Sequence, residues 1–140
     1  VGSEMCIRDR KMTIRHTHPL RPTVAGGAAA AREWMQRRTS AVIAHNDLMA
    51  MGFMIAVKSV GIEVPRDVSV VGTDNIFMSA LFTPALTTVT TSRNTQGKLA
   101  FNQLLEQLRH QHRDTGHLTT SIAMKLVERD STAQVPSLHR

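Results

Sequence analysis

The chain has 140 residues, which is enough for one domain with a buried core and too few for two. Apolar residues make up 41% and charged residues 20%, as is typical of soluble globular proteins. No segment approaches the roughly 18 consecutive apolar residues of a membrane-spanning helix, so we predict no membrane contact. A single cysteine, Cys6, excludes an internal disulfide.

The formal net charge of +6 invites comparison with nucleic-acid-binding proteins, but its distribution argues against that role. Residues 41–90 contain two basic and four acidic side chains: Lys58, Arg66, Asp47, Glu63, Asp67 and Asp74. The remaining basic residues lie in the two flanks. We interpret them as ordinary surface charge.

The two ends of the chain have no clear helical or strand period. Residues 1–10, VGSEMCIRDR, resemble a peptide that arises when a sequencing adapter is translated, and we interpret them as a non-native scar. Residues 11–22 are polar, contain Pro19 and Pro22, and are predicted to be irregular. Residues 134–140 are predicted to form a frayed tail.

The first predicted element is a helix over residues 23–38, for which Thr23 is a suitable cap. Its Gly26 and Gly27 indicate close helix packing rather than an anion site. An apolar strand follows over 41–44, and then a helix over 48–60 that ends at glycine 61.

Beyond this point the alternation continues through five segments. The sequence predicts a strand over 68–71, a short helical or irregular piece over 76–82, a strand over 86–90, an amphipathic helix over 95–112 and a strand over 122–128. Strands that alternate with helices at this spacing form parallel βαβ units. The predicted fold class is therefore α/β with a parallel sheet and flanking helices.

The helix over 48–60 is apolar on nearly every side. A helix that covers one face of a sheet needs a single apolar stripe, so a second face must also be buried. That face could pack inside a larger domain, or it could contact another protein through adaptable methionines. We favour a dimer interface.

Two polar residues directly follow predicted strands. Asn46 comes after the strand over 41–44, and Asp74 comes after the strand over 68–71. Ligands of doubly wound sheets bind outside the carboxyl ends of the strands, and an amide with a carboxylate suits a polyhydroxylated ligand such as a sugar. The alternative is that both residues only cap turns or helices.

Three motifs in one order resemble the effector domain of the LacI/GalR family of transcription regulators. They are N-D-L-M-A-M-G at 46–52, G-I-E-V-P-R-D-V-S-V-V-G-T-D-N at 61–75 and P-A-L-T-T-V at 84–89. Each motif alone is weak, but the three together at this spacing are specific. Weaker similarity extends over about residues 23–133.

The resemblance implies a periplasmic-binding-protein-like fold, in which two α/β subdomains joined by crossover strands enclose an effector. Residues 23–90 would form most of the C-terminal subdomain, to which residues 122–133 return. Residues 91–121 would belong to an N-terminal subdomain that is otherwise missing, so the apolar stripe of its helix would have no sheet to cover. The chain is thus expected to be a truncated fragment of marginal stability.

The resemblance also implies the site. It places Asn46 and Asp74 among the effector contacts. Thr73 stands where the family usually has an aromatic residue, so one ring bordering the pocket is absent. Arg93 follows the third crossover, where it could pair with a carboxylate or phosphate of a sugar acid, or could simply be solvated.

Dimer contacts are implied by the same resemblance. They would form a homodimer through Met51, Met54, Ile55, Met78, Leu81 and Phe82. The expected function is effector sensing in a cytoplasmic regulator whose DNA-binding domain lies outside this chain, and the alternative is a secreted sugar-binding protein of a transport system. No nucleophile–base pair, cofactor loop or zinc spacing is present, so we predict no enzyme activity, no cofactor and no metal.

Overall fold

The computed structural model of the chain describes residues 12–109 and 119–134. The elements in chain order are α1 Val24–Gln36, β1 Ala41–Ile43, α2 Asp47–Lys58, β2 Ser69–Thr73, α3 Phe77–Leu81, β3 Thr87–Thr90, α4 Arg93–Arg109 and β4 Lys125–Val127. Each predicted helix and strand is present, with small differences at the ends. The interpretations of residues 1–10 and 135–140, and the predicted end of the last helix at 110–112, lie outside the described residues. None of the described helices combines the length and apolarity needed to cross a membrane.

The four strands form one sheet in the order β1-β2-β3-β4. The strands β1, β2 and β3 are parallel, and β4 pairs with β3 in the antiparallel direction. The helix α2 connects the neighbouring parallel strands β1 and β2, as a βαβ unit requires. The α/β prediction is therefore confirmed, and the carboxyl ends of β1, β2 and β3 meet at one edge of the sheet.

The helix α1 begins at its predicted cap, because the Thr23 hydroxyl accepts a hydrogen bond from the Gly26 amide at 3.1 Å. Its backbone lies very close to that of α2. A Cβ atom built on Gly27 would overlap the Met49 carbonyl oxygen, and one built on Gly52 would overlap the Val24 carbonyl oxygen. Gly27 therefore serves close helix packing, as the sequence predicted, and Gly52 does so from α2. Gly26, the other glycine of that prediction, lies against the Arg21 carbonyl of the preceding segment and not against a helix.

The core lies between α1, α2 and the sheet. Phe53 of α2 meets the Trp34 ring of α1 edge to face, with ring centroids 5.4 Å apart. On the sheet side, Val57, Val70 and Leu86 are fully buried. Full burial of one such aliphatic or aromatic side chain contributes about 1.5–3 kcal/mol, so this cluster holds α2 on both sides.

The double packing of α2 accounts for its unusual apolarity. Met51 and Met54, which the sequence assigned to a dimer contact, are only 5% and 3% exposed and belong to the core cluster. In contrast, Ile55 on the same helix is 52% exposed. The second buried face of α2 is thus filled largely by α1 within the chain.

The helix α4 differs from α1 and α2 in that none of its residues is buried. Its apolar side chains include Phe101, Leu104 and Leu108, and each of these is more than half exposed. Among the described residues, no element covers this apolar side.

Candidate functional site

The residues predicted to bind a ligand lie at the carboxyl edge of the sheet. Asn46 directly precedes α2 after β1, and Asp74 directly follows β2, which is the neighbouring parallel strand. The Thr73 hydroxyl donates a hydrogen bond to the Ala44 carbonyl at 3.2 Å and so ties the ends of the two strands together. The structure therefore brings Asn46, Thr73 and Asp74 to one edge.

The side chain of Asn46 has a structural role on both of its polar atoms. Its Oδ1 accepts a hydrogen bond from the Met49 amide at 2.9 Å and caps α2, and its Nδ2 donates to the Pro22 carbonyl at 3.2 Å. These bonds show that Asn46 caps a helix, which is one part of the alternative interpretation. A primary amide has two donor hydrogens and two acceptor lone pairs, so half of its capacity remains for a ligand.

Asp74 lies in a turn of unusual backbone conformation. Asp74 and Asn75 both have positive φ, at 107° and 50°. The Asp74 amide donates to the Val89 carbonyl of β3 at 2.8 Å, which anchors the turn to the sheet. The side chain is exposed, and within the described residues its carboxylate has no hydrogen-bond or ion-pair partner. It is therefore available to accept hydrogen bonds.

Arg93 is the first residue of α4, three positions after the end of β3. Its side chain is exposed, and no described carboxylate lies within ion-pair distance of it. A cation at a helix N-terminus is slightly unfavourable with the helix dipole. An anion bound there would relieve this unfavourable contact.

A cavity of about 340 Å³ opens beside Asn46. It lies between the irregular segment 17–22, His45 and Met49, and its lining includes Pro22, to which Asn46 is hydrogen-bonded. The position of this segment was not predicted from the sequence. Its pair of prolines predicts an irregular chain but not that it lies beside Asn46.

Asp47 is the main polar residue that the sequence analysis missed. It is fully buried at the start of α2. Its Oδ2 accepts hydrogen bonds from the Ile76 amide at 2.9 Å and from the Ser79 hydroxyl at 2.5 Å, and its Oδ1 accepts one from the Thr88 hydroxyl at 2.6 Å. One carboxylate thus joins α2 to α3, to β3 and to the turn that contains Asp74.

Arg129, in the segment after β4, holds the same turn from another direction. Its guanidinium donates to the Leu86 carbonyl at 2.6 Å and to the Asn75 Oδ1 at 2.7 Å. Nearby, the fully buried Ser131 joins β2 to β3, since its hydroxyl donates to the Val70 carbonyl and accepts from the Thr87 amide. The segment that follows β4 is therefore built into the sheet.

The six residues predicted for a dimer contact are divided by the structure. Met51 and Met54 are buried, Phe82 is half-buried, and the exposed members are Ile55, Met78 and Leu81. A groove of about 490 Å³ runs between the C-terminal half of α2 and the segment before β3, and its lining includes Ile55 and Phe82. The exposed apolar residues of α2 and α3 thus remain open to a partner.

Among residues 12–109 and 119–134, two pKa values depart from their ordinary values, both in the loop between α2 and β2. A hydrogen bond from Arg66 lowers the pKa of Asp67, with a further contribution from the Glu63 amide, and the same pairing raises the pKa of Arg66. Both groups are exposed. The pair of Arg66 and Asp67 lies in a surface loop, away from the carboxyl edge of the sheet.

Comparisons with known proteins agree with this fold. The profile of the periplasmic binding protein-like domain matches residues 3–132. The HTH-type transcriptional repressor PurR of Edwardsiella ictaluri is 40% identical over 101 residues, which are 72% of this chain and 29% of that protein. The chain thus spans less than a third of this curated relative.

Two solved structures of LacI family transcriptional regulators also resemble the chain. The one from Enterococcus faecalis, with bound ribose, has a TM-score of 0.82 at 25% identity and covers 95% of this chain and 49% of that chain. The one from an Arthrobacter species, in complex with lactose, has a TM-score of 0.71 at 29% identity and covers 81% and 43%. The fold that the three motifs implied is confirmed.

Proposed function

The chain belongs to the family of periplasmic binding protein-like domains, and from this premise we propose that it is part of the effector-binding domain of a LacI-type transcription regulator. In this role it binds a small sugar or sugar acid at the carboxyl edge of β1, β2 and β3. The similar curated protein is a transcriptional repressor, and the two similar structures hold ribose and lactose. The observation that carries the proposal is the exposed Asp74 carboxylate, unpartnered within the described residues, on the same edge as Asn46 and Arg93.

The chemistry of this edge suits a polyhydroxylated ligand. The Asp74 carboxylate can accept hydrogen bonds from two sugar hydroxyls, and charged acceptors form the stronger class of hydrogen bond. The remaining donor hydrogen and lone pair of Asn46 can bind a further hydroxyl. Thr73 adds no ring to stack on the sugar, so recognition rests on hydrogen bonding.

Arg93 favours an effector with a negative charge. Its guanidinium is exposed at the N-terminus of α4, where both the side chain and the helix dipole attract a carboxylate or phosphate. A sugar acid would present hydroxyls to Asp74 and its acidic group to Arg93. Neutral sugars would use only the first of these contacts.

The same proposal includes the organisation of the whole regulator. Residues 23–90 and 122–133 belong to the C-terminal subdomain, and residues 91–121 belong to the N-terminal one. The protein forms a homodimer through the exposed Ile55, Met78 and Leu81 with Phe82, it acts in the cytoplasm, and it binds DNA through a domain outside this chain. The apolar side of α4, on which no residue is buried, supports this division, since a second subdomain would cover it.

The test of the effector site is a thermal-shift series on the protein with its upstream region restored, against sugars, polyols and sugar acids. A ligand at about 100 times its Kd stabilises the folded state by roughly 2.7 kcal/mol, which is easily detected. Asp74→Ala should abolish the shift. The matched control is Asp130→Ala, an exposed aspartate whose backbone is bonded to Ala85, before β3 at the opposite edge. A shift that survives Asp74→Ala would place the ligand elsewhere.

Arg93→Ala separates neutral from acidic effectors in the same series. We expect it to weaken binding of sugar acids by about tenfold, as the loss of one charge-assisted hydrogen bond implies, and to leave neutral sugars unchanged. Arg32→Ala, an exposed arginine on α1, is the control. Equal losses for both ligand classes would contradict the acidic effector.

The dimer contact is tested by Ile55→Asp with sedimentation equilibrium. A carboxylate forced into an apolar contact should raise the dimer dissociation constant by roughly tenfold or more, equivalent to about 1.4 kcal/mol. Ile43→Asp is the control, since Ile43 is also exposed but lies on β1. If both variants dimerise as the parent does, the interface lies on another surface.

A further inference from the structure

Three donors among the described residues share the buried carboxylate of Asp47. The Ile76 amide, the Ser79 hydroxyl and the Thr88 hydroxyl all donate to it, and the group has no exposure to solvent. Three donors and the N-terminal end of α2 offset the loss of hydration of a buried charge. Removal of this carboxylate alone would leave the three buried donors without a partner, which is strongly destabilising. The aspartate is therefore required by the groups that surround it.

The sheet makes room for this carboxylate. Gly72 of β2 faces it, and a Cβ atom built on Gly72 would overlap the Asp47 Oδ1 and stand 2.9 Å from Leu86 Cδ2. A side chain at this position of β2 would displace the carboxylate from the sheet. The absence of a side chain at Gly72 and the donors around Asp47 thus form one arrangement.

The turn that contains Asp74 is connected to Asp47 twice. The Ile76 amide donates to it directly, and the Asn75 amide donates at 3.3 Å to the Thr88 hydroxyl, which in turn donates to Asp47. Two consecutive non-glycine residues with positive φ do not persist without such support. Asp47 therefore holds the backbone on which Asp74 is presented.

The Asp47 oxygen that binds the turn also binds α3. Oδ2 of Asp47 accepts from Ile76 in the turn and from Ser79 in α3, whose exposed face carries Met78 and Leu81. If ligand binding displaces the turn, the hydrogen bond between Ser79 of α3 and Asp47 must therefore lengthen, change its angle or move with the turn. The two surfaces of the molecule that have separate proposed roles share one buried acceptor.

We propose that Asp47 is a positioning residue that couples occupancy of the Asp74 edge to the surface of α3. This inference rests on the proposed function, because it takes Asp74 to be an effector contact and α3 to be part of the dimer surface. The proposal means that effector binding and dimerisation share a coupling free energy. The effector changes the dimer dissociation constant, and by linkage dimerisation changes the effector affinity by the same factor.

The experiment uses the protein with its upstream region, and the effector probes are ribose, lactose and the sugar acid gluconate. The dimer dissociation constant is measured with and without saturating effector, and the ratio of the two is the readout. We expect a ratio of about fivefold or more in the parent protein. Ser79→Ala removes only the bond to α3, so it should bring the ratio to within about twofold of one while effector affinity stays nearly unchanged.

Ser131→Ala is the matched control. Ser131 is an equally buried serine with two hydrogen bonds, but its partners are Val70 and Thr87 rather than Asp47. It should lower the unfolding temperature and leave the ratio at the parental value. Asp47→Asn, which replaces one acceptor by a donor, should weaken effector binding by about tenfold and abolish the coupling as well.

The outcomes separate this inference from the proposed function. A parental ratio in Ser79→Ala, or an equal loss of coupling in Ser131→Ala, would overturn the role of Asp47, because stability alone would then explain the data. A parent protein that binds a sugar but dimerises equally with and without it contradicts the coupling and leaves the effector site standing. A parent protein that binds none of the sugars or sugar acids contradicts both.

Discussion

Two helices of this chain, α2 and α4, both carry apolar side chains at helical spacing and yet lie in opposite environments. Most residues of α2 are buried, between α1 on one side and the sheet on the other, whereas no residue of α4 is buried. Both patterns predict a helix equally well. The difference shows that hydrophobic periodicity predicts a helix and which of its sides is apolar. It does not predict what covers that side, because the covering residues can lie far away in the sequence or outside this chain.

The comparison is tested most strongly by two phenylalanines, one on each helix. Phe53 is 2% exposed and Phe101 is 61% exposed. Phe53→Ala should destabilise the 140-residue chain by about 3–5 kcal/mol, because it removes the ring that packs on Trp34 and leaves a cavity. Phe101→Ala should change stability by less than about 0.5 kcal/mol. Chemical denaturation followed by circular dichroism measures both.

Repeating the Phe101→Ala measurement in the protein with its upstream region extends this test. If residues 91–121 belong to a second subdomain, the apolar side of α4 is covered there, and the same substitution should cost more than about 1 kcal/mol. An equally small effect in both proteins would mean that the apolar side of α4 stays exposed, which contradicts the assignment.

A pair of glycines should give effects of opposite sign. Gly72→Ala brings a Cβ atom into contact with Asp47 and Leu86, and we expect a loss of about 1–3 kcal/mol from overpacking. Gly97 in α4 has no atom within 4 Å of the corresponding Cβ position, so Gly97→Ala should stabilise the chain by roughly 0.5–1 kcal/mol through helix propensity. Destabilisation by both would show that α4 is more closely packed than the comparison requires.

Much of the fold could be predicted because its elements are strongly patterned. Strand ends also predicted that Asn46 and Asp74 lie at one edge of the sheet, since parallel neighbours bring their carboxyl ends together. The network of Asp47 could not be predicted, because its three donors come 29, 32 and 41 residues later and meet it only through the sheet order. One signal was present: a carboxylate that begins an otherwise apolar helix needs partners if it is buried.

The assignment of α2 side chains shows the same limit from another direction. The sequence identified an excess of apolar residues on this helix, but it could not separate Met51 and Met54, which pack inside the chain, from Ile55, which does not. That separation depends on the angle at which α1 crosses α2, and the glycines Gly27 and Gly52 determine how closely they approach. The spacing of apolar residues along a helix specifies neither this angle nor the distance between the two helices.

The smallest effect is expected at the exposed pair of Arg66 and Asp67 in the loop between α2 and β2. The hydrogen bond from Arg66 lowers the pKa of Asp67 below its ordinary value of 3.8, so the charged form is favoured in the folded state. The resulting stability is present above pH 3.8 and is lost as the pH falls through the lowered pKa of the folded state. Asp67→Asn should therefore lower the urea midpoint slightly at neutral pH, and its difference from the parent should vanish in acid. A difference that is the same at every pH would show that the Asp67 side chain acts through its shape and its bond to the Glu63 amide, not through its charge.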